Sequence, residues 1–458
     1  MKIILLLLHA FLCLFGQSLS GQILEIHQVN VGQGDATMII IRDTARLRDS
    51  FAVRNVPLPA NPYKWLETAI DSSVNLKNTV KKAILIDAGA SQKTGTAVFN
   101  YKNKVGVDTF NYFILSHYHD DHYAGFKTLM ETYKVYADTF IIRNPSFNKP
   151  KGALNKILKL HRDTGRVFLN AIHNQTHIYL GTEGGQPIYL TCIGSSLITA
   201  FQPSNKTLLA TAKKDENNCS ALWALQFGAF RYYTGGDVNG YTDKGKNPKK
   251  IDLETSLVDS LLIHDPANVA DTNGLALNKA HFCSLKLNHH GGEESNNPYF
   301  LAVMKPSTAM ISCGVHGHLH PRKRVLEDLD GLISTKPQWD ISAYKTKRLV
   351  AVNGSDTLIN KTIQQYFMTN LDTLTPKAFY NKIGKPAESK GIIGGDIVTV
   401  VNSLDPLRSA YYVFWNGVKG VAVTTNFKRL KVPNDKGGKY IKCHQSATGL
   451  AQPYLKNQ

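Results

Sequence analysis

The chain has 458 residues, 43% hydrophobic and 19% charged, enough apolar material for one large domain or two average ones. That balance excludes a disordered tail, a collagen-like repeat and a coiled coil. Lys and Arg number 53 against 35 Asp and Glu; the resulting +18 favours a polyanionic partner such as nucleic acid or an anionic surface, although it also fits the housekeeping charge of an exported protein.

Residues 1–20 read as a secretory signal peptide. Lys2 supplies the charged start, Ile3 to Phe15 a short apolar core, and Ser18-Leu19-Ser20 the small-residue exit. This stretch falls short of the roughly 20 apolar residues a membrane span needs, and no later run is long enough. An exported protein, periplasmic or extracellular and without a membrane span, is expected. Ile23 to Val31 alternates apolar and polar residues and enters the turn Gly32-Gln33-Gly34-Asp35, with Ala36 to Ile41 as the return strand. Residues 42–82 are polar, with Pro57, Pro59 and Pro62, and read as an insertion. Ala83 to Ile86 is a buried strand running into Asp87-Ala88-Gly89, and Thr109 to Leu115 is another. Leu154 to His161 and Arg324 to Leu329 have helical spacing, and residues 239–278 form a second polar insertion.

Past Cys13, the five cysteines Cys192, Cys219, Cys283, Cys313 and Cys443 contain no CxxC pair and read mostly as core packing; an odd count leaves at least one thiol free or paired between chains. Residues 426–458 read as a basic tail, in which Lys428, Arg429, Lys431, Lys436, Lys439 and Lys442 interleave with Phe427 and Tyr440. Such a segment is either a groove for a phosphate backbone or a solvated face.

Chemistry concentrates in Ser116-His117-Tyr118-His119-Asp120-Asp121-His122, directly after an apolar strand. Strand alternation brings His117 and His119 out on one side, while Asp121 and His122 follow a bend and can reach a second ion nearby. Imidazole nitrogen and carboxylate oxygen suit zinc or manganese, and paired ions make a hydrolytic nucleophile from water. The bland alternative is a histidine-rich surface loop.

This HxHxDH pattern resembles the metallo-β-lactamase-fold hydrolases. Val31-Gly32-Gln33-Gly34-Asp35-Ala36, Leu85-Ile86-Asp87-Ala88-Gly89, Asn218-Cys219-Ser220 and Thr234-Gly235-Gly236-Asp237 look like the soluble hydrolase domain of the DNA-uptake channel protein ComEC. So do His289-His290-Gly291 and Gly317-His318-Leu319-His320-Pro321, all in the family's order from residue 23 to about 330. A weaker match runs past Gln365-Tyr366-Phe367-Met368-Thr369. The His-His pair also resembles bacterial phosphorylcholine esterases of the same fold.

The resemblance implies an α/β protein, a four-layer αββα sandwich over residues 21–425. It implies two divalent ions, zinc or alternatively manganese: His117 and His119 on the first, Asp121 and His122 on the second, and Asp237 bridging both. One of His289 and His290 completes the second. By the esterase resemblance that is His290, with His289 facing the substrate phosphate. The family's third histidine for the first ion would fall between residues 123 and 236, where only His161, His173 and His177 stand, none at a clear strand end.

Asp35 and Asp87 read as carboxylates supporting ligand imidazoles. Asn218 and Ser220 hold the loop or touch a leaving group. His320, held before Pro321 and beside Arg322-Lys323-Arg324, can protonate a leaving alkoxide or hydrogen-bond a phosphoryl oxygen, within a mobile loop marked by Gly314, His316, Gly317 and His318. The expected function is a secreted phosphodiesterase or nuclease using a metal-bound hydroxide, with Asp121, His289 and His320 as catalytic residues. A metallohydrolase of a small carboxylic substrate, such as a β-lactam or lactone, and a catalytically silent binding protein are the alternatives.

Overall fold

The computed structural model describes residues 21–145, 149–197, 215–242, 250–263, 281–314, 320–331, 362–370, 390–402, 410–416 and 436–443. Residues 1–20, His316, Gly317, His318 and most of the basic C-terminal segment lie outside the described residues, so the readings placed on them are not addressed by it.

Both faces of the first strands are buried. In β1 (Gln22–Gln28), Leu24 and Ile26 enter one core and Ile23 another; in β2 (Thr37–Asp43), Ile39 and Ile41 face one side and Met38 and Ile40 the other. A sheet built this way needs a cover on each face. β3 (Val80–Ile86), β4 (Phe110–Leu115), β5 (Ala137–Arg143) and β6 (Val167–Ala171) continue this sheet in parallel.

A second sheet begins with the antiparallel β7 (His177–Glu183), β8 (Gln186–Gly194), β9 (Leu222–Phe227) and β10 (Phe230–Thr234). It continues in parallel through β11 (Ser284–Lys286), β12 (Thr308–Ile311), β13 (Gln365–Met368) and β14 (Gly391–Ile393). The chain then returns to the first sheet as β15 (Ile397–Asn402), β16 (Ala410–Trp415) and β17 (Gly437–Lys442). The strand orders are β17-β16-β15-β1-β2-β3-β4-β5-β6 and β14-β13-β12-β11-β10-β9-β8-β7.

Between the sheets, Ile84, Ile114 and Ile141 share a core with Trp223, Leu225 and Tyr232. On the outer face of the first sheet, α1 (Thr44–Val53) and α2 (Trp65–Asp71) put Leu47, Phe51 and Trp65 in a cluster with Val398 and Val400. Beside them α3 (Gln92–Lys104), α4 (Asp120–Glu131) and α5 (Gly152–Asp163) bring Val98, Phe126 and Ile157 against Leu85 and Phe113. On the second sheet α6 (Leu253–Ile263), α7 (Pro298–Met304) and α8 (Lys323–Asp330) bring Leu257, Phe300 and Val325 against Tyr233 and Leu285. Each such side chain, fully buried, contributes about 1.5–3 kcal/mol. Helix, sheet, sheet, helix is the αββα sandwich expected.

The structure departs from the sequence reading in three places. First, the polar positions of β1 are not solvated: helices cover that face, so Glu25 and His27 are buried. Glu25 is clamped by Arg42 Nε at 2.5 Å and Nη2 at 2.8 Å, and His27 Nδ1 meets the Tyr101 hydroxyl at 2.9 Å. Second, Arg42 belongs to β2 and Val80 to Lys82 to β3, so the segment read as 42–82 is tied to strands at both ends while α1 and α2 between them cover the sheet. Third, the basic segment read as a tail contains β17, an edge strand paired with β16. Its Ile441 is buried and its Lys439 and Lys442 are exposed, the pattern of an edge guarded by charge. Cys443, just past β17, is bonded to Cys283 beside β11, and Cys192, Cys219 and Cys313 are buried thiols. Among the described residues no helix is long and apolar enough to cross a membrane.

Candidate metal centre

β3, β4, β10, β11 and β12 deliver their C-terminal ends to one edge of the sandwich, where open α/β sheets collect their ligands. Asp87 follows β3, His117 and His119 follow β4, and Asp237 follows β10 across the turn Gly235-Gly236. His289 and His290 sit in the short turn Asn288–Gly291 after β11. The glycine turn after β1 is pressed onto the start of α4. Gly34 is left-handed (φ +104°), and a Cβ there would stand 2.2 Å from the Asp121 carbonyl oxygen.

Two ligand clusters share Asp237. Asp121, His122, Asp237 and His290 each offer an atom within 4.8 Å of the others, and so do His117, His119 and Asp237. Asp237 Oδ2 lies 3.3 Å from His122 Nε2, 3.5 Å from His290 Nε2 and 3.9 Å from His117 Nε2, while His117 Nε2 and His119 Nδ1 are 3.0 Å apart.

The far nitrogens of these rings are held. His122 Nδ1 donates to Asp87 Oδ2 at 2.8 Å, and His290 Nδ1 donates to the Ser312 carbonyl at 2.9 Å with Asp35 Oδ1 at 3.1 Å. Donation from Nδ1 leaves Nε2 aimed into the cluster. Asp87 is itself fixed by the Ser116 N–H at 2.8 Å and hydroxyl at 2.7 Å, and Asp35 by the buried Lys286 ammonium at 2.5 Å. Asp35 and Asp87 therefore stand behind the imidazoles.

His122 Nε2, His290 Nε2 and Asp237 Oδ1 are buried without a hydrogen-bond partner. Orphaned polar atoms in such a setting call for a cation, and nitrogen with carboxylate oxygen suits a divalent one such as zinc or manganese. The residues present fit such ions.

Electrostatics follow the same layout. Burial works against charge on Asp237, but the His122, His290 and His289 rings outweigh it and hold the carboxyl well below the usual range. Burial likewise opposes charge on His290, yet Asp237 and Asp35 carry its pKa up to about 10. His122 is raised well above its ordinary value by Asp237, Asp121 and Asp87 against the same burial. Burial and the neighbouring His122 push His117 well down.

The His-His turn is strained: His289 and His290 have φ of 49° and 53°, a left-handed pair that costs on the order of 1–3 kcal/mol per residue. Glu254, reaching in from α6, holds it. One carboxylate oxygen accepts Asn288 Nδ2 at 2.7 Å and the Asn296 N–H at 2.6 Å; the other accepts the Asn297 N–H at 2.7 Å. Burial pushes the Glu254 pKa up to about 8.

A cleft of about 600 Å³ opens over the clusters, lined by His119, Asp121, Asp237 and His290 and also by His289, His320, Arg322, Asn217 and the ion pair Lys250–Glu294 (2.7 Å). The His320 ring centroid is 5.2 Å from that of His289. Burial, with His289 and His290 nearby, pushes the His320 pKa down to about 2, which favours a neutral ring and, of the two roles read for it, the hydrogen bond to a phosphoryl oxygen.

All six residues read as ligands converge, and His289 and His320 face the same cleft. Asn218 and Ser220 hold the loop: Asn218 Oδ1 accepts Asn239 Nδ2 at 2.7 Å, and Ser220 Oγ accepts the Asp237 N–H at 3.3 Å. His161, His173 and His177 stand in none of the clusters. Sequence reasoning missed Ser116, Lys286, Ser312, Glu254 and Asn217. Only Lys286 carried a signal, a lone cation inside an apolar strand.

A four-layer αββα sandwich with two imidazole–carboxylate clusters at the ends of its sheets is a metallo-β-lactamase fold. Residues 72–187 match the family model described as "Metallo-beta-lactamase superfamily". No curated protein matches the chain. Among solved structures it is similar to the metallo-β-lactamase fold protein YhfI from Bacillus subtilis, at 10% identity over 63% of this chain and 85% of that one, with a TM-score of 0.31. It is also similar to a diphosphatase from the PhnP family, at 11% identity, 62% and 85% coverage and a TM-score of 0.26. An archaeal superfamily protein from Sulfolobus tokodaii matches at 13% identity, 53% and 76% coverage and a TM-score of 0.24.

Proposed function

We propose that the chain is an exported, metal-dependent phosphodiesterase of the ComEC-like branch, acting on nucleic acid or a smaller phosphodiester. The observation that carries this reading is one cleft lined both by the carboxylates and imidazoles gathered around Asp237 and by groups that bind an anion: His289, His320, Lys250 and Arg322. His117, His119 and Asp237 would hold one divalent ion, zinc or manganese, and Asp121, His122, Asp237 and His290 the second. When bound, such ions lower the pKa of water and offset charge on phosphoryl oxygens.

The chain's own residues do the rest. Asp87 and the Ser312 carbonyl fix the tautomers of His122 and His290. Asp121, whose Oδ2 meets Gln33 Nε2 at 3.4 Å, faces the cleft and orients the attacking water. His289 directs a ring N–H at the substrate phosphate. Neutral His320 donates to a phosphoryl or leaving oxygen, and Arg322 adds a charge-assisted hydrogen bond. The +18 balance supports a polyanionic substrate, and the Cys283–Cys443 disulfide supports an oxidising compartment and hence export.

The test is a panel of bis-p-nitrophenyl phosphate, DNA and nitrocefin with the metal-loaded protein. Diester cleavage without nitrocefin turnover is expected. Nitrocefin turnover alone would favour a carboxylic substrate, and no turnover a binding protein.

A further inference from the structure

Resting on the two-ion reading above, we propose that Asn217 completes the first metal position, its side-chain Oδ1 supplying the donor that a third imidazole would give alongside His117, His119 and Asp237. Asn217 is only 6% exposed, its Oδ1 is buried without a hydrogen-bond partner, and it lines the same cleft as His119 and Asp237. A buried amide oxygen left unpaired inside a polar cleft needs a partner that the protein does not supply.

The short turn Glu216–Cys219 that carries it is locked to the loop that carries the histidines. Glu216 Oε1 accepts the Tyr118 N–H at 3.0 Å, and the same carboxylate grips Arg143 Nε at 2.6 Å and Nη2 at 2.8 Å. Within the turn, Asp215 Oδ1 accepts the Asn217 N–H at 3.1 Å, and the Asn217 carbonyl accepts the Ser220 N–H at 3.2 Å. The backbone of Asn217 is thereby fixed by contacts that leave its side-chain Oδ1 unused.

The donor set becomes two imidazoles, one carboxylate oxygen and one neutral amide oxygen. An amide oxygen is a harder and weaker donor to zinc than an imidazole, so the first position holds zinc less tightly than the second and admits manganese more readily.

The experiment is calorimetric titration of zinc, and separately of manganese, into the chelator-stripped full chain and its Asn217→Ala and Asn217→His variants, with melting curves of the stripped proteins as a folding control. Wild type is expected to bind two zinc ions in a tighter and a weaker step. Asn217→Ala is expected to weaken the weaker step by about 10–100-fold, at least the loss known for residues that merely support a ligand, and to leave the tighter step unchanged. Asn217→His is expected to tighten the weaker zinc step while manganese loses ground. Two steps in wild type with neither changed in Asn217→Ala would overturn the role of Asn217 alone. Fewer than two ions in wild type would overturn the two-ion reading itself. If Asn217→Ala does not fold, Asn217→His decides: a tighter weaker step supports the proposal and an unchanged one overturns it.

Discussion

Asp87 Oδ2 lies 2.8 Å from His122 Nδ1, and this contact sets which nitrogen of that fully buried ring faces the cluster. Asp87 adopts a left-handed backbone (φ 59°) directly after β3, and two hydrogen bonds from Ser116 hold its carboxylate.

Asp87→Asn keeps the volume of that side chain. With its carbonyl oxygen retained by the Ser116 N–H, its NH2 faces His122 Nδ1 and favours the tautomer that turns an N–H into the cluster. Metal affinity is expected to fall about 10–100-fold with little change in melting temperature. Competition with a chromophoric chelator measures the first quantity, and unchanged affinity would remove Asp87 from the account.

His320 is held neutral, so its loss removes a hydrogen-bond donor and not an acid. His320→Ala is expected to lower kcat by about 10²–10³-fold, alike on nitrophenyl and alkyl diesters. A loss confined to alkyl diesters, whose alkoxides need a proton, would restore the acid role.

Glu254→Gln keeps the shape but sets an NH2 against N–H donors that the carboxylate now accepts. At least one buried donor then goes unpaired, costing about 1–3 kcal/mol in urea unfolding. Because the same contacts hold the left-handed His289–His290 pair, diester turnover is expected to fall as well. A stable variant with full activity would detach α6 from the site.

The Glu25–Arg42 pair sets an acid limb of stability. Burial opposes charge on Glu25, but Arg42, with His27, outweighs it and lowers the pKa below its ordinary 4.5. A carboxyl whose folded pKa is depressed contributes stability above the unfolded value and loses it as pH falls through the folded one. Arg42→Met strands a buried charge at a cost of about 3–5 kcal/mol near neutral pH. That penalty is expected to shrink as the pH falls, first as the stranded Glu25 takes up a proton in the folded variant and then, below the ordinary carboxyl value, as wild type loses the contribution of the pair, and urea titrations at several pH values give the slope. A penalty independent of pH would show that Glu25 is not the group responsible.

Much of this was legible locally. The apolar run at Ala83 to Ile86 falls within β3, the run at Thr109 to Leu115 overruns β4 by one residue at its start, Leu154 to His161 falls within α5, and the ligand residues announce themselves by spacing after strands. What stayed hidden depends on distant partners. β17 reads as a tail because Lys439 and Lys442 stand on either side of its single buried apolar residue, Ile441. Cys283 and Cys443 are 160 residues apart, and nothing local pairs them. Glu254 and Asn217 sit in polar stretches that look like loop, and only the folded chain shows one buried among donors and the other turned into the cleft.

The central claim is that ions gathered around Asp237 drive diester hydrolysis, and turnover of bis-p-nitrophenyl phosphate through chelation and readdition tests it most directly. Dipicolinate treatment should abolish turnover, and zinc or manganese, added up to two equivalents, should restore it in wild type but not in Asp237→Ala. Turnover that survives thorough chelation, or that returns equally in Asp237→Ala, would contradict the account.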